Sequence, residues 1–264
     1  MEQPEGETGF EQLVRIVARL RGPGGCPWDQ AQTPRSFRPY LIEEAYEVVD
    51  AIDRAQPAEL KKELGDLLFQ IVILAQMAEE DGAFDMDDVA RGISEKMIRR
   101  HPHVFDPGFD PEKENPSGIA AWERRKARER PADASALDGV PTAMPALLRA
   151  HRVSDKAAGV GFDWPDRASV RAKVGEELQE LDEALAAGDE AHILEEYGDL
   201  LFALVNLGRK LPVGAEDALR AATLKFEGRF RRLEAAITAE GGSIHDTPLD
   251  EPEARWQAAK QEAG

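Results

Sequence analysis

Adding 133 to the residue numbers of one stretch of this chain lands on a second copy of it. "EEAYE" at Glu43 to Glu47 becomes "EELQE" at Glu176 to Glu180, and "ELGDLLF" at Glu63 to Phe69 becomes "EYGDLLF" at Glu196 to Phe202, with no gap between the blocks. Further on, "DDVARGISEKMIRR", ending at Arg100, returns as "EDALRAATLKFEGR", ending at Arg229, at a shift of 129. "WERRK" at Trp122 returns as "WQAAK" at Trp256, and Trp28 of "CPWD" has a weaker echo in Trp164. A duplication that covers nearly all of 264 residues restricts the fold to two copies of one supersecondary unit.

Each copy reads as helices separated by turn chemistry. Thr33-Pro34 is a capping residue followed by proline at the first helical position, and Gln56-Pro57 opens the next helix in the same way. Gly82 closes that helix, and Asp85 with Asp88 three residues on has the spacing of an N-cap and its acidic third position. Gly188-Asp189 separates two helical runs in the second copy, and Leu211-Pro212 ends the latter of them. No segment sustains a two-residue alternation. The expectation is an all-α protein of two tandem helical domains, residues 1–130 and 145–264, joined by a linker at 131–144 that lacks an amphipathic face.

The segment "ELKKELGDLLFQIVILA" is apolar over most of its girth, with Glu63, Asp66 and Gln70 alone on a narrow polar strip. Such a helix is expected to be buried, and buried carboxylates need partners. On the preceding helix Glu43, Glu47 and Asp50 share one side at i, i+4 and i+7, Leu41, Val48, Val49 and Ile52 point the other way, and Glu44 lies between. A short antiparallel connection would let Glu63 and Asp66 face Glu43 and Glu47. Charges of one sign that close repel and raise each other's pKa unless divalent cations neutralise them, and an all-oxygen donor set suits Mg²⁺ or Mn²⁺. A row of acids on one helix face is ordinarily just a solvated face, but the recurrence of the pair as Glu196 and Asp199, at the same distance from the same glutamates, argues for function.

The composition fits a small-molecule substrate. Acids outnumber bases 51 to 33, a formal net charge of -18, which repels nucleic-acid polymers and leaves no basic stripe to bind one. A phosphate ester remains open, because divalent metals bridge carboxylates to phosphate oxygens. Lys96, Arg99 and Arg100 in the first copy and Lys225 and Arg229 in the second are candidate phosphate contacts. Trp256 and Lys260, also i and i+4, can offer an aromatic face and a cation. His101 and His103 make a poor zinc site, Cys26 has no evident base beside it, and no G-x-x-x-x-G-K loop is present. A single cysteine, a polar N-terminus and no apolar run of membrane-spanning length lead us to expect a cytoplasmic protein without membrane contact.

Taken together, E-E-x-x-E followed by E-x-x-D, the segments "GCPWDQAQT", "KELGDLLFQ" and "RRHPHVF", and the tandem repeat resemble the MazG family of nucleoside triphosphate pyrophosphohydrolases. The resemblance implies an all-α fold with bundles completed in a homodimer, Mg²⁺ dependence, and hydrolysis of NTPs and dNTPs to monophosphate and pyrophosphate. Onto the second half it carries Glu176, Glu177, Glu180, Glu196 and Asp199 as catalytic carboxylates, with Glu177, Glu180, Glu196 and Asp199 as metal ligands. Onto the first half it carries the metal ligands Glu44, Glu47, Glu63 and Asp66, and the matching Glu43. It implies substrate contacts at Lys225, Arg229, Trp256, Lys260 and His192, the last standing where the family can place a lysine. Two other readings stand beside this one. The first is a helical module that binds nucleotide or metal without turnover. The second is a narrower pyrophosphatase acting on dCTP, dUTP or phosphoribosyl-ATP.

Overall fold

The computed structural model describes residues 6–110, 126, 131, 134–211 and 213–245. All regular structure among these residues is helical, and the chain divides into two compact units, Met1–Glu114 and Asn115–Gly264. No helix among them is long and apolar enough to cross a membrane.

The first unit contains α1 (Gly9–Arg21), α2 (Pro27–Ala31), α3 (Pro34–Asp53), α4 (Pro57–Glu80), α5 (Met86–Arg100) and α6 (Pro102–Phe105). Thr33 accepts from the Ser36 amide at the start of α3, and Asp85 closes a full capping box with Asp88 at the start of α5, so the cap signals lie where the sequence has them. The core gathers Val17 of α1, Phe37 of α3, and Val72, Ile73 and Met77 of α4, all 3 % exposed or less. Arg21, itself almost covered, ties the end of α1 to Glu80 at 2.6 Å and donates to the Asp29 and Gln32 carbonyls.

The described residues of the second unit contain α7 (Ala146–Gly159), α8 (Arg167–Ala187), α9 (Glu190–Arg209) and α10 (Ala215–Ala239). Here α8 and α9 are the counterparts of α3 and α4. Their inward faces correspond residue for residue: Phe37, Leu41, Glu44, Val48 and Ala51 in α3, and Val170, Val174, Glu177, Leu181 and Ala184 in α8, none of which is fully exposed. The two hairpin connections also match. Each passes through one left-handed residue, Ala55 at φ 51° and Gly188 at φ 70°, 133 positions apart. Lys156 of α7 is buried and donates to the Asp138 carbonyl at 2.5 Å, which anchors part of the expected linker on this unit.

Two expectations need correction. Ile52, placed on the apolar side of α3, is 57 % exposed, because the packed seam follows 37, 41, 44, 48 and 51, leaving Ile52 on the flank. The α4 helix is not covered all round either, since Leu64 and Ile71 stand open at 49 % and 39 %.

Candidate active site

The antiparallel packing of α3 on α4 brings one carboxylate oxygen each of Glu44, Glu63 and Asp66 within 4.8 Å of one another. In α8 and α9 the same is true of Glu177, Glu196 and Asp199, each 133 positions on. The sequence put Glu43 and Glu47 opposite the acidic pair. The structure adds Glu44, the residue read as lying between two faces, because the seam runs through 44, and keeps Glu47 within reach of Glu63. Asp50 turns outward onto Arg54 at 3.1 Å.

In the first unit Glu63 is 7 % exposed and receives Lys62 Nζ at 2.9 Å on Oε1, while Oε2 has no donor. The Lys62 ammonium holds the Glu63 carboxyl below its ordinary value against the opposing effect of burial. Glu47 reaches the same carboxylate and is pushed up, foremost because its protonated form donates to Glu63 and then because Glu63 is charged. Burial raises Glu44, and the charges of Asp66, Glu63 and Glu43 add to it. Gln70 is 5 % exposed and sets its Nε2 3.5 Å from Glu44 Oε1. Beside these residues lies a polar cavity of about 170 Å³ lined by Glu47, Asp50, Arg54, Glu59 and Glu63.

In the second unit a residue that the sequence reading passed over holds the centre. Lys173 Nζ lies 2.6 Å from Glu176, 2.8 Å from Glu177 and 4.0 Å from Glu180, and the first two hold its ammonium above the ordinary lysine value. Its signal was legible, since Lys173 precedes Glu176 and Glu177 by three and four residues on one helix. Glu177 is 6 % exposed. Burial raises Glu180 against the pull of Lys173, and Glu177 and Glu196 push the same way as burial. His192 Nε2 is 2.9 Å from Glu196 Oε1.

Both donor sets suit a hard divalent cation: three carboxylates close enough for oxygens about 2.0–2.6 Å from one ion. Each half therefore carries an acidic group able to hold a metal. Lys225 and Arg229 lie one turn apart on α10, and no ion pair joins either to these carboxylates among the described residues. Arg229 Nε is buried without an acceptor. Trp256 and Lys260 lie outside the described residues.

The MazG nucleotide pyrophosphohydrolase domain matches the chain twice, over residues 32–105 and 166–233, so each match takes in one hairpin and its acidic group. The chain belongs to the MazG family. It is 47 % identical over 259 residues to a nucleoside triphosphate pyrophosphohydrolase of Escherichia coli K12, covering 96 % of this chain and 97 % of that one. It is 45 % identical over 254 residues to the nucleoside triphosphate pyrophosphohydrolase/pyrophosphatase MazG of Thermotoga maritima, covering 95 % of each. To the uncharacterized protein YabN of Bacillus subtilis it is 42 % identical over 254 residues, 96 % of this chain but 52 % of that protein. The MazG domain recurs with the α3–α4 and α8–α9 hairpins, and the carboxylates that converge in each lie inside the matched spans.

Proposed function

We infer that this MazG-family chain hydrolyses nucleoside triphosphates to monophosphate and pyrophosphate, with Mg²⁺ as the working cation. One observation carries the reading: three carboxylates from two helices converge, twice, in a chain whose full-length relatives carry this activity in their names. The second unit is the better equipped for turnover, because Lys173 and His192 already stand against its carboxylates. Glu177, Glu180, Glu196 and Asp199 hold the metal there, and Glu44, Glu47, Glu63 and Asp66 hold it in the first unit. The ion supplies neutralisation of phosphate charge and an activated water. Glu176 and Lys173 position the cluster. Arg229, with a buried donor that lacks an acceptor, and Lys225 take phosphate oxygens of the substrate, stabilising the pyrophosphate as it leaves. We assign phosphate or base contact to Trp256 and Lys260 on sequence grounds alone.

The same reading includes a homodimer in the cytoplasm. Leu194, Tyr197, Leu201 and Leu204 form one stripe along α9, exposed by 75 %, 53 %, 37 % and 44 %. Leu64 and Ile71 of α4 occupy the positions of Tyr197 and Leu204. Apolar stripes at this spacing are the seams of helix bundles, and a second copy is the occupant that buries them.

The test is to incubate the protein with each of the eight common NTPs and dNTPs, with Mg²⁺ or with EDTA, and to resolve the products chromatographically. Monophosphate plus pyrophosphate, abolished by EDTA and by Glu196→Gln, is the expected result. Diphosphate plus orthophosphate overturns the cleavage position, and Mg²⁺-dependent nucleotide binding without turnover favours a non-catalytic binding module.

A further inference from the structure

The two acidic groups share their triads but not their surroundings. Lys173, which lies on Glu176 and Glu177, corresponds to Tyr40 in the first unit, and His192, which lies on Glu196, corresponds to Glu59. Glu177 of the second triad is therefore already paired with an ammonium of its own helix, which a metal ion has to displace or share. In the first unit Lys62 lies on Glu63, with its side chain 64 % exposed and able to swing into water.

A second difference points to a ligand. Gln70 is 5 % exposed, its head group lies against Glu44, and its Oε1 has no donor. Glu63 Oε2 is buried in the same state. Buried acceptors without donors are costly, and a cation in the triad satisfies Glu63 Oε2 directly and Gln70 Oε1 once its amide turns. Turning the Gln70 amide about its last bond exchanges Nε2 for Oε1 and presents a neutral oxygen to the triad. The second unit has Ala203 at that position, and none of its triad oxygens is stranded in this way among the described residues. A polar cavity of about 170 Å³ adjoins Glu63 and leaves room for an ion's waters on that side.

We propose that the first unit holds a divalent cation through Glu44, Glu63, Asp66 and the Gln70 amide oxygen in the absence of nucleotide, whereas the second unit takes one only together with a triphosphate. The proposal rests on the reading of the triads as cation sites and adds an order of filling and a ligand. In the second unit the arriving triphosphate draws Lys173 off Glu177, so metal and substrate enter together. The first unit is loaded beforehand and keeps its metal through the cycle.

The experiment is Mn²⁺ titration of the full chain, with free ion read by electron paramagnetic resonance, with and without a triphosphate whose α,β bridge is methylene. Without nucleotide, about one tight site per chain is expected, weakened at least tenfold by Glu63→Gln or Gln70→Ala and unchanged by Glu177→Gln. The analogue should add a second site that Glu177→Gln removes, and Lys173→Met should open that second site without nucleotide. Circular dichroism and melting show that each variant is folded, and any variant that is not is replaced by Asp66→Asn or Asp199→Asn. Nucleotide-free binding that follows Glu177 rather than Glu63, or two equal nucleotide-free sites in the parent, overturns the proposal. The products of NTP hydrolysis are read separately, so a chain that fails to cleave triphosphates yet fills the Glu63 site first refutes the proposed activity and leaves the order of filling standing.

Discussion

Arg209 offers the sharpest test of how the second unit holds its site hairpin. Its guanidinium, 7 % exposed at the end of α9, lies 3.0 Å from Asp155 of α7, 3.2 Å from Asp163 of the following loop and 3.0 Å from the fully buried Asn206 amide oxygen. In Arg209→Met the Asp155 carboxylate, only 11 % exposed, keeps Arg152 at 3.3 Å and His151 at 3.4 Å, and Asp163 keeps Lys210 at 2.8 Å. Breaking one side of a buried ion pair costs about 3–5 kcal/mol, and these surviving partners argue for the lower end, about 3 kcal/mol. For a unit of this size that corresponds to a melting point lower by about 10 °C. Native-state amide exchange read by mass spectrometry separates the units. Protection in α7, α8 and α9 should fall by the equivalent of about 3 kcal/mol while α1 to α5 keep theirs. The double variant Arg209→Met with Asp155→Leu should recover most of the loss, because an apolar pair of similar volume is often as stable as a buried ion pair. A change below about 1 kcal/mol in the second unit, or an equal loss in both, would refute the assignment of Arg209 as its clamp.

Ala55 occupies the left-handed position that Gly188 occupies in the other hairpin, so Ala55→Gly should stabilise the first unit by about 1 kcal/mol and Gly188→Ala should destabilise the second by a similar amount, both read from denaturant midpoints. Glu44 has its carboxyl raised by burial and by Asp66, Glu63 and Glu43, so its contribution to stability is greatest below the unfolded value of about 4.3 and is lost as pH rises through the raised folded value. Metal-free Glu44→Gln should therefore melt above the parent at pH 8, with the gap closing toward pH 4, and saturating Mn²⁺ should reverse the order at pH 8. Leu194→Glu combined with Leu201→Glu places charges in the open α9 stripe and should shift sedimentation from dimer to monomer, and an unchanged dimer would place the interface elsewhere.

The sequence was most informative where one signal was local and repeated. Caps such as Thr33 and Asp85, the Gly188 turn and the two helical hairpins are set by chemistry within a few residues, and the 133-residue shift repeats the Thr33 cap at Asp166, the turn at Ala55 and the hairpin itself. What it lost was rotation about a helix axis. Glu43, Glu44 and Glu47 are all candidates on a helical wheel, and only the seam through Phe37, Leu41, Glu44, Val48 and Ala51 decides that Glu44 joins Glu63 and Asp66. A side chain one position along is turned by about 100°, and hydropathy cannot resolve that when acid residues lie on both edges of the packed face. Lys173 was missed for a related reason. Its counterpart is Tyr40, so a search for what the halves share passes over it, although its spacing from Glu176 and Glu177 was in plain view. In a duplicated chain, shared residues locate the site, and residues that differ at matched positions, Lys173 against Tyr40 and Gln70 against Ala203, carry the division of labour between the copies.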